Sequence, residues 1–126
     1  MNNWFLSTSL MLFVSCSHPS TLDDPELITG LRFSPSAFDS FKSNTEIRYS
    51  LKSPVTVTIY LIAKGPNGMP YLVKTLVENV SETKGSHSHT WLGDTNQGSF
   101  APSGDYVGIV QIEDKRFETS VLVFHF

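Results

Sequence analysis

One cysteine, Cys16, stands alone in a chain of 126 residues, so no disulfide can form within it and any fold has to stand on packing. Basic charge is also scarce. Nine Lys and Arg face twelve Asp and Glu, for a net charge of −3, which lacks the basic footprint of a nucleic-acid-binding domain. No stretch sustains a 3.6-residue apolar period over the length of a helix. The apolar stretch at residues 4–14 is interrupted at Ser7, Thr8 and Ser9 and is too short to cross a bilayer as a mature helix. No G-x-S-x-G elbow or other nucleophile context is present, so an enzyme is not expected. What the chain has in quantity is aromatic and β-branched side chains. Nine Phe, four Tyr and two Trp in a sequence 40% hydrophobic suffice for a core and argue for an all-β body.

Residues 4–14 have the length of the hydrophobic region of a signal peptide. The tetrad that follows, Phe13-Val14-Ser15-Cys16, resembles a bacterial lipobox, with an apolar residue at −3 and a small one at −1. That resemblance implies removal of residues 1–15, acylation of Cys16 and attachment to a membrane through the lipid. Ser17 in place of Asp at the next position implies an outer-membrane destination. Met1-Asn2-Asn3 carries no Lys or Arg, and an ordinary secretory signal, with a secreted or periplasmic product, is the other reading. Residues 17–26 mix Ser, Pro and acidic side chains with little to bury and read, behind Cys16, as a tether. Fully extended, ten residues reach about 30–35 Å.

From residue 27 onward the pattern is that of strands. Residues 27–33 form a first strand broken by Gly30, and residues 36–43 a polar loop in which Phe38 and Phe41 cap one end of the core. Ile47, Tyr49 and Leu51 alternate with Glu46, Arg48 and Ser50, the signature of a half-buried antiparallel strand. Val55, Val57, Ile59 and Leu61 alternate with Thr56, Thr58 and Tyr60 after Pro54. A turn at residues 64–68 leads to a return strand at 71–77, whose Leu72, Val73 and Leu76 fall out of strict alternation and call for a bulge. Residues 78–84 read as a polar connection and 86–92 as a strand. Residues 104–112 put Tyr106, Gly108, Val110 and Ile112 on one face and Val107 and Ile109 on the other, as in a central strand covered on both sides. The charged tip at 113–116 precedes a last strand at 117–126. About seven strands with frequent turn signals predict an antiparallel, immunoglobulin-like β-sandwich.

The densest signal lies in residues 85–106, GSHSHTWLGDTNQGSFAPSGDY. Two rings, Trp91 and Tyr106, bracket a loop whose Gly93, Asp94, Asn96, Gly98 and Pro102-Ser103-Gly104 supply the backbone angles of a reversal. Trp91, Gly93, Asp94, Gly98, Pro102, Ser103, Gly104 and Tyr106 resemble the signature of FlgD Ig-like domains, the β-sandwich module named after the flagellar hook-capping protein. The resemblance covers residues 31–112. It implies a sandwich found in secreted and surface bacterial proteins, spanning residues 27–126 here. Leu92 stands where the family usually has Asp, and the long segment 63–70 implies a lengthened hairpin.

Four constellations are candidates for chemistry. His87 and His89 fall on one face of a strand about 6.5–7 Å apart, a spacing that suits a metal if Asp94 were the third ligand. Trp91 shares their parity, however, and rim histidines are the plainer expectation. Asp94, Asn96 and Asp105 carry calcium-type oxygens but match no defined calcium loop. Ser103 reads as a turn residue. Tyr60, Tyr71 and Phe100 are aromatic rings of the kind that stack on sugars. With no cofactor expected, two functions follow: an envelope lipoprotein whose sandwich is a structural or protein-binding module, or a small carbohydrate-binding module.

Overall fold

The structure, a computed structural model, describes residues 26–125. The signal segment, Cys16, the tether as far as residue 25, and Phe126 lie outside the described residues. Eight strands follow one another: β1 (Ile28–Ser34), β2 (Ala37–Asp39), β3 (Thr45–Leu51), β4 (Val55–Lys64), β5 (Pro70–Glu82), β6 (Gly85–Trp91), β7 (Gly104–Ile112) and β8 (Lys115–Phe124). They form two sheets, one of five strands in the order β2-β8-β7-β4-β5 and one of three in the order β1-β3-β6. The result is an all-β, two-layer sandwich.

Period-two patterning dictates which side chains enter the space between the sheets. Ile47, Tyr49 and Leu51 of β3 are buried with Val57, Ile59 and Leu61 of β4 and Tyr106, Val110 and Ile112 of β7. In β7 the alternation carries Gly108 inward, and there the Phe33 ring takes the space of the missing side chain: a Cβ would lie 2.7 Å from two of its carbons. A glycine inside a strand often marks such a close approach.

Three departures from the sequence reading have physical causes. The first is β2, which falls in the segment read as a loop and runs parallel to β8, with Phe38 opposite Val123. Three residues are too few to display a period. The sandwich therefore has eight strands and is not wholly antiparallel. Phe38 is buried as expected, but Phe41 is exposed. The second is β5, which runs through to Glu82 across the supposed polar connection and pairs Val80 with Val57 and Glu82 with Val55. Register shifts along the β4–β5 ladder, and Asn79 at φ 52°, break the alternation that would have revealed it. The third is β7, central in its sheet: no third layer is present among the described residues, and on its outer face Val107 is partly exposed while Ile109, flanked in register by Tyr60 of β4 and Glu118 of β8, is fully buried.

Trp91 joins the layers. Fully buried at the end of β6, it meets Phe38 edge-on at 5.7 Å and Tyr106 edge-on at 5.4 Å. Its Nε1 donates to the Asp94 carbonyl at 2.9 Å, so the polar end of the ring is satisfied where it is buried. Across the loop, the Tyr106 hydroxyl donates back to the Pro102 carbonyl, four residues upstream. Immunoglobulin-like sandwiches use such a tyrosine corner at one end. Gly93 lies between these anchors at φ 78°, where a Cβ would come within 2.4 Å of the Ser40 Cβ.

Replacing Trp91 by Ala should cost about 3–5 kcal/mol of unfolding free energy, read by urea denaturation. Domains of this size have about 5–15 kcal/mol in all. A loss under about 1 kcal/mol would mean that the ring does not carry the packing described.

Candidate functional site

The loop between β6 and β7 is held down by its own polar groups. Asp94 Oδ2 accepts from Lys74 Nζ at 2.9 Å. Asn96 donates its backbone N–H to the Val73 carbonyl at 3.0 Å, and its Oδ1 accepts from the Thr75 N–H at 3.1 Å. Both contacts lie along the edge of β5, so Asn96 occupies backbone groups that an edge strand would otherwise present for pairing. Within the loop, Gly98 donates to the Thr95 carbonyl at 2.9 Å while holding φ 89°. The oxygens weighed for calcium are thus used by protein donors at Asp94 and Asn96. Asp105 stands on the outer face of β7, in the alternation opposite Tyr106. Ser103 is an exposed turn residue between Pro102 and Gly104.

His87 and His89 do share a face, the inner one, as their alternation with Ser86, Ser88 and Thr90 required. Their partner is one that sequence reasoning missed. Glu82, buried at the end of β5, reaches across from the other sheet. Its Oε2 lies 2.7 Å from His89 Nε2, its Oε1 accepts from the Tyr49 hydroxyl, and His87 Nδ1 is 3.9 Å from the same Oε1. His87 Nε2 lies 2.7 Å from the Thr83 carbonyl. Carbonyls and carboxylates only accept, so hydrogen bonding places a proton on Nε2 of both rings. Tyr49 lies opposite His87 in the β3–β6 register, nearly parallel to both imidazoles at 5.8 and 6.1 Å. Asp94, engaged by Lys74, is not part of this cluster. Among the described residues no group of three His, Cys, Asp or Glu side chains is disposed to hold a metal. The arrangement is a polar clasp between the sheets: one carboxylate satisfied by a phenol and an imidazole.

The aromatic candidates do not make one platform. Tyr60 faces outward on β4 with its hydroxyl 3.5 Å from Gln111. Tyr71 pairs with Ala63, which points inward. Phe100 packs edge-on against Phe41 at 4.7 Å, and Phe41 stacks on His125 at 4.1 Å.

A more extensive surface is the outer face of the five-stranded sheet. Leu72, Ile62 and Val107 follow one another across β5, β4 and β7, and Leu122 of β8 faces Asp105 in the adjoining row. Leu72 and Leu122 are 53% and 41% exposed. Beside them is a depression of about 640 Å³, with Lys64, Asp105, Arg116 and Glu118 at its margin. An apolar band rimmed by charge is the usual make-up of a protein-binding patch.

Comparison with protein-family models finds none that matches the chain, and comparison with curated proteins finds no match either.

Burial first, then the hydrogen bond to Glu82 and its negative charge, push the Tyr49 phenol far above its ordinary value of 10.0. Burial raises Tyr106 as well, with the nearby Tyr71 adding to it. The folded protein therefore keeps a proton that the unfolded chain releases near pH 10. This contribution is fully present below the unfolded value and is lost as pH rises beyond it. Denaturation between about pH 9 and 11 should show stability falling with pH, and less steeply in Tyr49→Phe. An unchanged slope would separate Tyr49 from this behaviour. Glu82→Ala, which leaves the Tyr49 hydroxyl and His89 Nε2, 3.2 Å apart, with only each other, should cost about 1–3 kcal/mol at neutral pH.

Proposed function

We propose that the protein is a non-catalytic cell-envelope lipoprotein, acylated at Cys16 and directed to the outer membrane, whose FlgD Ig-like sandwich binds another envelope or surface protein. The observation that carries the proposal is the outer face of the five-stranded sheet. There the sequence supplies Ile62, Leu72, Val107 and Leu122 as though for burial, and no layer of the described residues covers them. Large apolar side chains on the outer face of a sheet are costly to leave in water, and a partner protein removes that cost. The charged margin formed by Lys64, Asp105, Arg116 and Glu118 would orient such a partner more than hold it. Anchoring rests on Phe13-Val14-Ser15-Cys16 and on the polar residues 17–26, which would keep the sandwich clear of the headgroups. The carbohydrate alternative has less support, since Tyr60, Tyr71 and Phe100 do not line up on one surface.

Two measurements test the proposal. A fatty-acid analogue fed to producing cells should label the protein and leave Cys16→Ala unlabelled; label persisting on the variant would refute acylation there. A photo-crosslinking side chain in place of Leu72 or Leu122 should trap one envelope protein. Leu122→Ser, which puts no second carboxylate opposite Asp105, should weaken that complex at least tenfold, about 1.4 kcal/mol, without lowering the melting temperature. Crosslinks absent at both positions would rule the face out.

A further inference from the structure

The outer face of the three-stranded sheet has the opposite character. Arg32, Arg48 and Ser88 stand in one row across β1, β3 and β6, and Ser34, Glu46 and Thr90 in the next. On the other side Ser50 faces Ser86, their hydroxyl oxygens 3.2 Å apart. Beyond the final pair, Leu51 with Gly85, the same register leads to Lys52 and Lys84, both exposed. This face and its end thus collect four of the nine basic residues of a chain whose net charge is −3. No aliphatic or aromatic side chain stands in these rows.

Two arginines directly opposite one another repel, and only one of them is neutralised. Glu46 Oε1 accepts from Arg48 Nε at 3.0 Å and from Nη2 at 2.9 Å. Arg32 has no ion pair among the described residues; its Nη1 donates to the Gly30 carbonyl at 2.9 Å. Each guanidinium is therefore oriented while most of its five N–H donors stay free for the oxygens of an anion. The two flank a polar depression of about 390 Å³ that Ser50, Ser86 and Ser88 also line, together with Glu46, the partner of Arg48, and with the buried Tyr49 and half-buried His87.

We propose that this face binds an acidic polysaccharide, with carboxylate or phosphate groups on the Arg32 and Arg48 guanidiniums and sugar hydroxyls on the three serines. The absence of apolar side chains from the outward rows argues against insertion into a bilayer, and the absence of an exposed aromatic ring there, Tyr49 being buried, argues against stacking on nucleic-acid bases. Lys52 lies four strand residues beyond Arg48, about 13 Å away. A polymer of repeating charge engages both ends of the face, whereas a single anion engages one. The site is on the opposite side of the sandwich from the protein-docking face, and it requires neither acylation nor a protein partner.

Calorimetry on the full chain in detergent tests the proposal, with polygalacturonate as the carboxylate probe, phosphomannan as the phosphate probe and dextran as the neutral control. One or both acidic polymers should bind, and which one does identifies the oxyanion; dextran should not. Arg32→Ala should raise Kd at least tenfold at unchanged melting temperature. Arg32→Lys should restore only part of the affinity, because the forked geometry is lost. Lys42→Ala, which removes a cation outside these rows, should leave Kd unchanged. Several results would overturn the proposal: neither acidic polymer binding, equal losses in Arg32→Ala and Lys42→Ala, or tighter binding to anionic phospholipid vesicles or duplex DNA than to either glycan. Loss of glycan binding in Arg32→Ala with crosslinking at Leu72 intact would separate the two faces.

Discussion

The edge-to-face contact of Trp91 with Tyr106 sets the frame within which the other features make sense. One ring closes the last strand of the small sheet, the other opens the central strand of the large one, and 5.4 Å separates their centres. The chain between them must cross from layer to layer, and each end of that crossing is tied to backbone: the indole to the Asp94 carbonyl, the phenol to the Pro102 carbonyl. With no disulfide available, these two buried rings and their hydrogen bonds take the place of a covalent link between sheets. The Glu82 clasp joins the same two sheets a second time, through polar rather than aromatic contacts. Removing one partner of that clasp would leave a buried group unsatisfied, so its presence says more about register than about net stability.

Strands with clean alternation were legible in the sequence because one face is core and the other water. Residues 45–51 and 104–112 coincide with β3 and β7. The rings at Trp91 and Tyr106 were legible because Gly, Asn and Pro between them mark a turn. What escaped notice lacked a period. β2 is three residues long, and the far half of β5 is displaced by bulges so that Glu82 turns inward from a run of polar letters. A glutamate in such a run gives no hint of burial, because its partners Tyr49 and His89 lie 33 and 7 residues away and are brought together only by the strand order.

The same limitation conceals charge. A net charge of −3 describes the whole chain, whereas a binding surface responds to the charge within about a Debye length, roughly 8–10 Å. Arg32, Arg48, Lys52 and Lys84 are scattered along the sequence and share a face only because β1, β3 and β6 are neighbours in the register observed. Conversely, Val107 and Ile109 were visible as outward apolar positions, but the sequence does not tell which of them water reaches: Val107 is partly exposed, whereas Ile109, flanked in register by Tyr60 and Glu118, is fully buried. Two layers leave two outer faces, one with an apolar band inside a charged margin and one with an excess of basic side chains.

That asymmetry bears on how the domain would act at an envelope. The described residues begin at 26, two before β1, an edge strand of the small sheet. A partner on the five-stranded sheet and a polyanion on the three-stranded sheet would be separated by the full thickness of the sandwich, two sheets about 10 Å apart plus their outer side chains. They would not compete for space. Their charges would interact weakly, because screening at physiological salt removes most of the coupling over such a distance. Coupling between the faces would instead have to pass through the packing that joins the sheets, above all the Trp91–Tyr106 contact and the Glu82 clasp. A close-packed core of this kind is stiff rather than bistable, so the two surfaces should behave as independent sites on one rigid body.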